Sequence, residues 1–171
     1  MLKRLKIIRL FLALAFLAAI YLPSRVYAQP ASSLDVSALS PIIAGAKKSA
    51  LVAQQACLRY VQMNVFEFEE CINERLNVKG LTSAERLGIT YLGFVGALSG
   101  QRMGSQGSHR MGWEFAKKTQ KIQKKMGLKD ADLCPIIPGD CQIRIARMQL
   151  ALNQAAPAPL SEAELAGAHK H

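Results

Sequence analysis

Apolar residues recur along this chain with the spacing of helices, and no alternating stretch of useful length suggests a strand. One long uncharged segment lies between Arg86 and Arg102, where every residue is apolar, small or uncharged; Gly96, Gly100 and Gly104 fall every fourth position. A helix built from it carries a flat glycine stripe. Each interior glycine costs about 1 kcal/mol relative to alanine, so the stripe calls for a close approach of another backbone. The uninterrupted run from Leu87 to Leu98 reaches only about 18 Å as a helix, short of the roughly 30 Å of a bilayer core. It is therefore expected to be the buried central helix of a small domain.

Upstream, Ser40 and Pro41 read as an N-cap followed by proline at the first helical position, where its missing N–H is harmless. From Pro41 one face collects Ile43, Ala46, Ala50 and Ala53, and the pattern continues through Cys57, Val61, Val65, Phe68, Ile72 and Leu76. The pattern fits either one long helix or two with a kink near Gln54. Glu67, Glu70 and Glu74 lie on the opposite face of its second half, as a solvated stripe or a contact surface. Asn77 or Gly80 supplies a stop. The next start is marked by Thr82 and Glu85, spaced as a capping box, and the central helix is expected to run from there to about Met103.

Past a flexible connector at Gly104 to Gly107, Ser108 is positioned to cap a helix whose apolar stripe is Met111, Phe115, Ile122 and Met126. Lys117, Lys121, Lys124 and Lys125 populate its other side, and Gly127 with Leu128 makes a fitting end. Pro135 and Pro138-Gly139 turn the segment from Asp132 to Asp140 into a loop. A last helix follows from Asp140, with Ile143, Arg147 and Leu150 on one side, Ile145, Met148 and Leu152 on another, and Arg144 and Arg147 towards the edge. Gln154 to Pro159 is an Ala/Pro linker, and Ser161 to Glu164 could cap one further turn.

The amino terminus changes how the charge is read. Lys3, Arg4, Lys6 and Arg9 precede an apolar run from Leu10 to Leu22, and Val26-Tyr27-Ala28 offers small residues for cleavage, the layout of a signal peptide spanning 1–28. Gln29, where a lipoprotein would carry cysteine, argues against a lipid anchor. The whole sequence has 22 basic and 12 acidic residues, a net of +10; loss of Lys3, Arg4, Lys6, Arg9 and Arg25 leaves 17 basic residues and a net of +5. So mild an excess suits an acidic protein partner, an anionic membrane surface or a cell-wall polymer. No aromatic-interleaved basic patch points to nucleic acid.

Four cysteines in an exported chain, Cys57, Cys71, Cys134 and Cys141, are expected to form two disulfides, since their spacing matches no usual zinc pattern. On one unbroken helix Cys57 and Cys71 would stand about 21 Å apart along the axis. That favours two long bridges from the first helix to the segment holding Cys134 and Cys141. The alternative pairs Cys57 with Cys71 across a bend near Asn64, and Cys134 with Cys141.

No catalytic constellation stands out. His109 is the only histidine of the expected folded body, with Ser105 and Ser108 near it in sequence but no third group to complete a triad. Glu67, Glu69, Glu70, Glu74 and Glu85 are spaced as surface carboxylates, and His169 and His171 belong to the tail. No nucleotide, cofactor or metal motif occurs, so neither cofactor nor metal is expected.

The segment LCPIIPGDCQIRIARMQLAL, followed by a proline and a short helix, resembles the carboxy-terminal pattern of small periplasmic immunity proteins of type VI secretion systems. In those proteins a Cys-Pro turn leads into a helix and a proline-containing tail. The tyrosine and glycines of TYLGFVG fit too, with Thr90 where such proteins often place a cysteine. The resemblance implies a binding protein that neutralises a toxin, and it transfers no site residues.

The expectation is thus an all-α protein with a single domain over 41–153, four to five helices pinned by two disulfides. A signal peptide at 1–28 and a flexible leader at 29–40 precede it, and an Ala/Pro-rich tail at 154–171 follows. Functionally the sequence predicts a periplasmic or secreted, non-enzymatic protein that binds a protein partner, in the resembling form an immunity or inhibitor protein, through Lys117, Lys121, Lys124 and Lys125. The alternatives are a structural envelope protein held to membrane or wall polymer by the basic helix, and a small periplasmic enzyme.

Overall fold

A computed structural model describes residues 36–61, 64–105 and 107–158. The chain divides into two units, Met1–Pro30 and Ala31–His171, and every described residue belongs to the second. The expected signal peptide, the leader up to residue 35 and the tail from residue 159 lie outside the described residues.

Among the described residues five α-helices and one 3-10 turn make up the fold: α1 Val36–Val61, α2 Val65–Leu76, α3 Ser83–Arg102, α4 Ser108–Lys125, the turn Asp130–Leu133, and α5 Cys141–Asn153. α3 is the hub, packed against α1, α2 and α4, while α5 docks on α4. It is buried almost throughout, with Leu87, Tyr91, Phe94 and Ala97 fully enclosed. Its start is held as expected: the Thr82 hydroxyl accepts from the Glu85 N–H at 3.2 Å and the Glu85 carboxylate accepts from the Thr82 N–H at 2.8 Å. That backbone hydrogen bond, then the one from the Thr82 hydroxyl, holds the Glu85 carboxyl below its ordinary pKa.

The expected glycine stripe does not face one partner. Gly88 lies against the Ala46 carbonyl of α1, Gly93 against the Phe115 ring of α4, and Gly96 against the Phe68 ring of α2. Gly100 faces Ser108 and Val65, and Gly104 is outside the helix altogether. Each wall of the hub is thus opened for a different neighbour.

Expectations are corrected at four places along the chain. α1 begins at Val36 rather than Pro41, so residues 36–40 of the expected flexible leader are helical; the ring fixes a helical φ, and Pro41 forfeits only the bond to the Ser37 carbonyl near the helix start. The stretch from 41 to 76 is two helices, broken at Asn64 rather than near Gln54: the Asn64 side chain accepts from the Phe66 N–H at 2.9 Å and restarts the chain as α2. That break overturns the long disulfides, because Cys57 and Cys71 no longer share a helix axis. Their Cα atoms stand 5.7 Å apart in a bridge, and Cys134 bridges Cys141 at 5.2 Å.

The third correction concerns Ser108, which is the first residue of α4 and not its cap. Gly107 takes the capping position with φ 77°, and the Ser108 hydroxyl is buried against Gly100 without a hydrogen-bond partner. The other end of α4 closes as the sequence suggested. Gly127, at φ 68°, donates to the Lys124 carbonyl and Leu128 to that of Gln123, both at 3.1 Å, a Schellman motif.

The fourth is Arg144, expected at the edge of α5. It is 7 % exposed and ties the loop to the hub, donating to the Ile137 carbonyl at 2.6 Å, the Pro138 carbonyl at 2.7 Å and the Tyr91 hydroxyl at 3.2 Å. Burial raises the Tyr91 pKa, with the Arg144 charge opposing. Met148 is the buried apolar anchor of α5, whereas Ile143, Arg147 and Leu150 face outward.

Candidate binding surface

α4 is amphipathic in the plain sense that one side is core. Met111, Phe115, Ala116 and Thr119 are fully buried and Gln123 nearly so, while Ile122 and Met126 of the expected stripe are half-buried. The buried Gln123 amide reaches the Asp130 carboxylate at 2.7 Å and so fastens the helix to the 3-10 turn. With one side locked, the lysines must face outward: Lys117, Lys121, Lys124 and Lys125 are all exposed.

Their charge is not offset within the helix. Glu114, the only acid of α4, is held by Arg110 at 2.7 Å, and the same guanidinium pairs with Glu69 of α2. Burial works to lower the Arg110 pKa, but the two carboxylates more than reverse this and leave it raised. Glu114 and Glu69 are therefore both engaged by one arginine.

The four lysines do not form one uniform patch. Lys117 lies over the Trp113 ring, its ammonium 4.3 Å from the centroid, and the indole N–H donates to the Gln154 carbonyl at 3.4 Å. Lys121 instead lines a cavity of about 320 Å³ where α4 meets α2 and α3. Lys124 and Lys125 stand in the last turn, where cations complement the helix dipole. Reading the sequence for lysines missed two contributors to this region, Lys118 and Arg86. Lys118 falls on the same helical line as Lys121 and Lys125, a signal that was present; Arg86 belongs to another helix and gave none.

The acidic stripe also acquires a place. Glu67, Glu70 and Glu74 line a larger cavity of about 680 Å³ beside the Cys57–Cys71 bridge, together with Tyr60, Arg59 and Arg75. Its arginines share the lining with the carboxylates, so this surface is of mixed sign. The remaining candidates for chemistry are dispersed: His109 is exposed while Ser108 is fully buried, Glu69 is ion-paired, and Glu85 is committed to its capping box. All four cysteines are disulfide-bonded. Among the described residues no His, Cys, Asp or Glu cluster is arranged to hold a metal ion, and no helix is long and apolar enough to cross a membrane. Compared with protein-family models, curated proteins and solved structures, the chain matches none.

Proposed function

We propose that this is an exported binding protein without catalytic activity, which engages an acidic protein partner through the outer face of α4. The observation that carries the reading is the locked amphipathic helix: its core side is pinned by Met111, Phe115 and Thr119, its own acid is neutralised by Arg110, and Lys117, Lys121, Lys124 and Lys125 remain exposed. Two disulfides suit an oxidising compartment such as the periplasm. One ties α1 to α2 and the other closes the loop before α5. The resemblance of the Leu133 to Leu152 segment to type VI immunity proteins makes the specific form of the proposal an inhibitor of a toxin. A second reading, attachment to an anionic envelope surface, draws on Trp113 beneath Lys117, an aromatic and cation pair suited to a membrane interface.

Affinity capture from the native compartment, repeated with the Lys121→Glu/Lys124→Glu variant, tests the reading. Each exposed ion pair is worth only ~0.2 to 1 kcal/mol, but reversing two charges should slow association on the order of tenfold at low salt. The wild-type on-rate should fall with ionic strength, and the variant's thermal stability should be nearly unchanged because neither side chain packs in the core. Undiminished capture by the variant would refute the assignment. Binding to anionic vesicles in preference to any protein would favour the envelope reading.

A further inference from the structure

The cavity that Lys121 lines gathers cations from two helices. Arg86 of α3 and Lys118 and Lys121 of α4 line it, with Asn73 and Asn77 from the end of α2 and an apolar floor that includes Leu76. No carboxylate lines it. The acids of α2 within one turn of Asn73 serve elsewhere, since Glu69 pairs with Arg110 while Glu70 and Glu74 line the cavity beside the Cys57–Cys71 bridge.

Two of the three cations are positioned by neutral groups alone in the contacts that fix them. Arg86 donates to the Leu76 carbonyl at 2.9 Å, capping the last turn of α2, where carbonyls lack helical partners. A guanidinium has five N–H donors, so this bond orients the group without exhausting it. The Lys118 ammonium reaches the Asn73 side-chain oxygen at 3.4 Å and sits 4.7 Å from the Phe115 ring centroid. The partial negative charge at the end of α2 is about half an elementary charge and offsets only part of the three cations. Convergent donors, an apolar floor and uncompensated positive charge are what a carboxylate needs when it leaves water.

We propose that this cavity is a carboxylate-binding pocket, the point at which the acidic partner inserts an aspartate or glutamate side chain. The identity of that visitor rests on the partner reading above; the pocket itself is testable alone. Citrate, titrated against the whole protein at constant ionic strength and followed by the side-chain amide resonances of Asn73 and Asn77, is the probe. Saturable shifts are expected. Arg86→Gln and Lys118→Gln should each weaken citrate roughly tenfold, the loss of one charge-assisted hydrogen bond, while Lys47→Gln on α1, which removes the same charge elsewhere, should not.

Should Arg86→Gln fail to fold, Lys118→Gln still decides, because Lys118 is exposed and caps no helix. Shifts that do not saturate, or equal weakening by Lys47→Gln, would overturn the pocket and leave a diffuse positive field. Tighter binding of inorganic phosphate through the same residues would overturn the carboxylate assignment. Failure of the partner reading is seen separately, as undiminished capture by Lys121→Glu/Lys124→Glu, since the citrate titration needs no partner.

Discussion

Replacing Gly88 by alanine should destabilise the protein although alanine is the better helix former. A Cβ at Gly88 would overlap the Ala46 carbonyl oxygen of α1, lie 2.7 Å from the carbonyl carbon and 2.6 Å from the Ser49 Oγ. The first two atoms are helix backbone and have no rotamer to change. Ser49 is fixed too, because its hydroxyl bridges the Ala46 carbonyl at 3.0 Å and the Glu85 carbonyl at 2.9 Å. The helices must therefore part, and a gap on the order of 1 Å forfeits about half the dispersion energy of the contacts it opens. Overpacking of this kind costs about 3 kcal/mol when the obstacle is rigid, against a gain of about 1 kcal/mol in helix propensity, so a net loss of about 2 kcal/mol is expected. Gly45→Ala is the matched control. Its Cβ would stand 3.4 Å from the Ala84 Cβ, an ordinary contact, so propensity dominates and the variant should gain about 0.5 to 1 kcal/mol. Urea unfolding should show the two midpoints moving to opposite sides of wild type with similar slopes. A Gly88→Ala midpoint at or above wild type would refute the claim that α1 and α3 meet backbone to backbone there.

Two further outcomes follow from the fold. Arg144→Met should cost on the order of 3 kcal/mol, because it strands the Ile137 and Pro138 carbonyls; it should also raise the pH at which Tyr91 ionises, read by tyrosinate absorbance, since the Arg144 charge opposes the upward shift caused by burial. A folded pKa above the ordinary 10.0 means that the contribution of Tyr91 to stability is complete below pH 10.0 and is lost as pH rises through the folded value. Non-reducing peptide mapping should recover Cys57 joined to Cys71 and Cys134 joined to Cys141, and the Cys57→Ser/Cys71→Ser variant should lose about 3 kcal/mol, the entropy of a loop of about 15 residues.

Much of the helical framework was legible because its signals are local. The Thr82 and Glu85 box, the Gly127 end of α4 and the outward lysines each depend on residues within two turns of one another, and each stands where the spacing put it. The errors arose where one residue decided between continuing and stopping. No glycine or proline stands at Asn64 to announce a break, so a bend there entered only with the alternative disulfide pairing, yet its side chain captures the Phe66 N–H and starts a new helix in which the apolar pattern continues. A mistaken helix length then propagated into a mistaken disulfide pattern, because the 21 Å separation of Cys57 and Cys71 assumed an unbroken rod. Pro41 works in the opposite direction: proline favours the first turn of a helix without fixing where the helix starts, and α1 opens at Val36, before it.

The lysine face could be read from periodicity, but the pocket beside it could not. Periodicity gives each helix an inside and an outside, whereas the pocket depends on how α2 and α4 are rotated and spaced about α3. That spacing is set by two aromatic rings seated on glycines of the hub, Phe68 of α2 on Gly96 and Phe115 of α4 on Gly93. A side chain at either glycine would push a ring outward and move one wall of the cavity. Asn73 lies just over a turn beyond Phe68, and Lys118 three residues beyond Phe115. Each is carried to the Arg86 end of α3 by the ring that precedes it, so Gly96, which belongs to the stripe legible in the sequence, and Gly93, which does not, together determine where the neighbours of α3 bring their charges together.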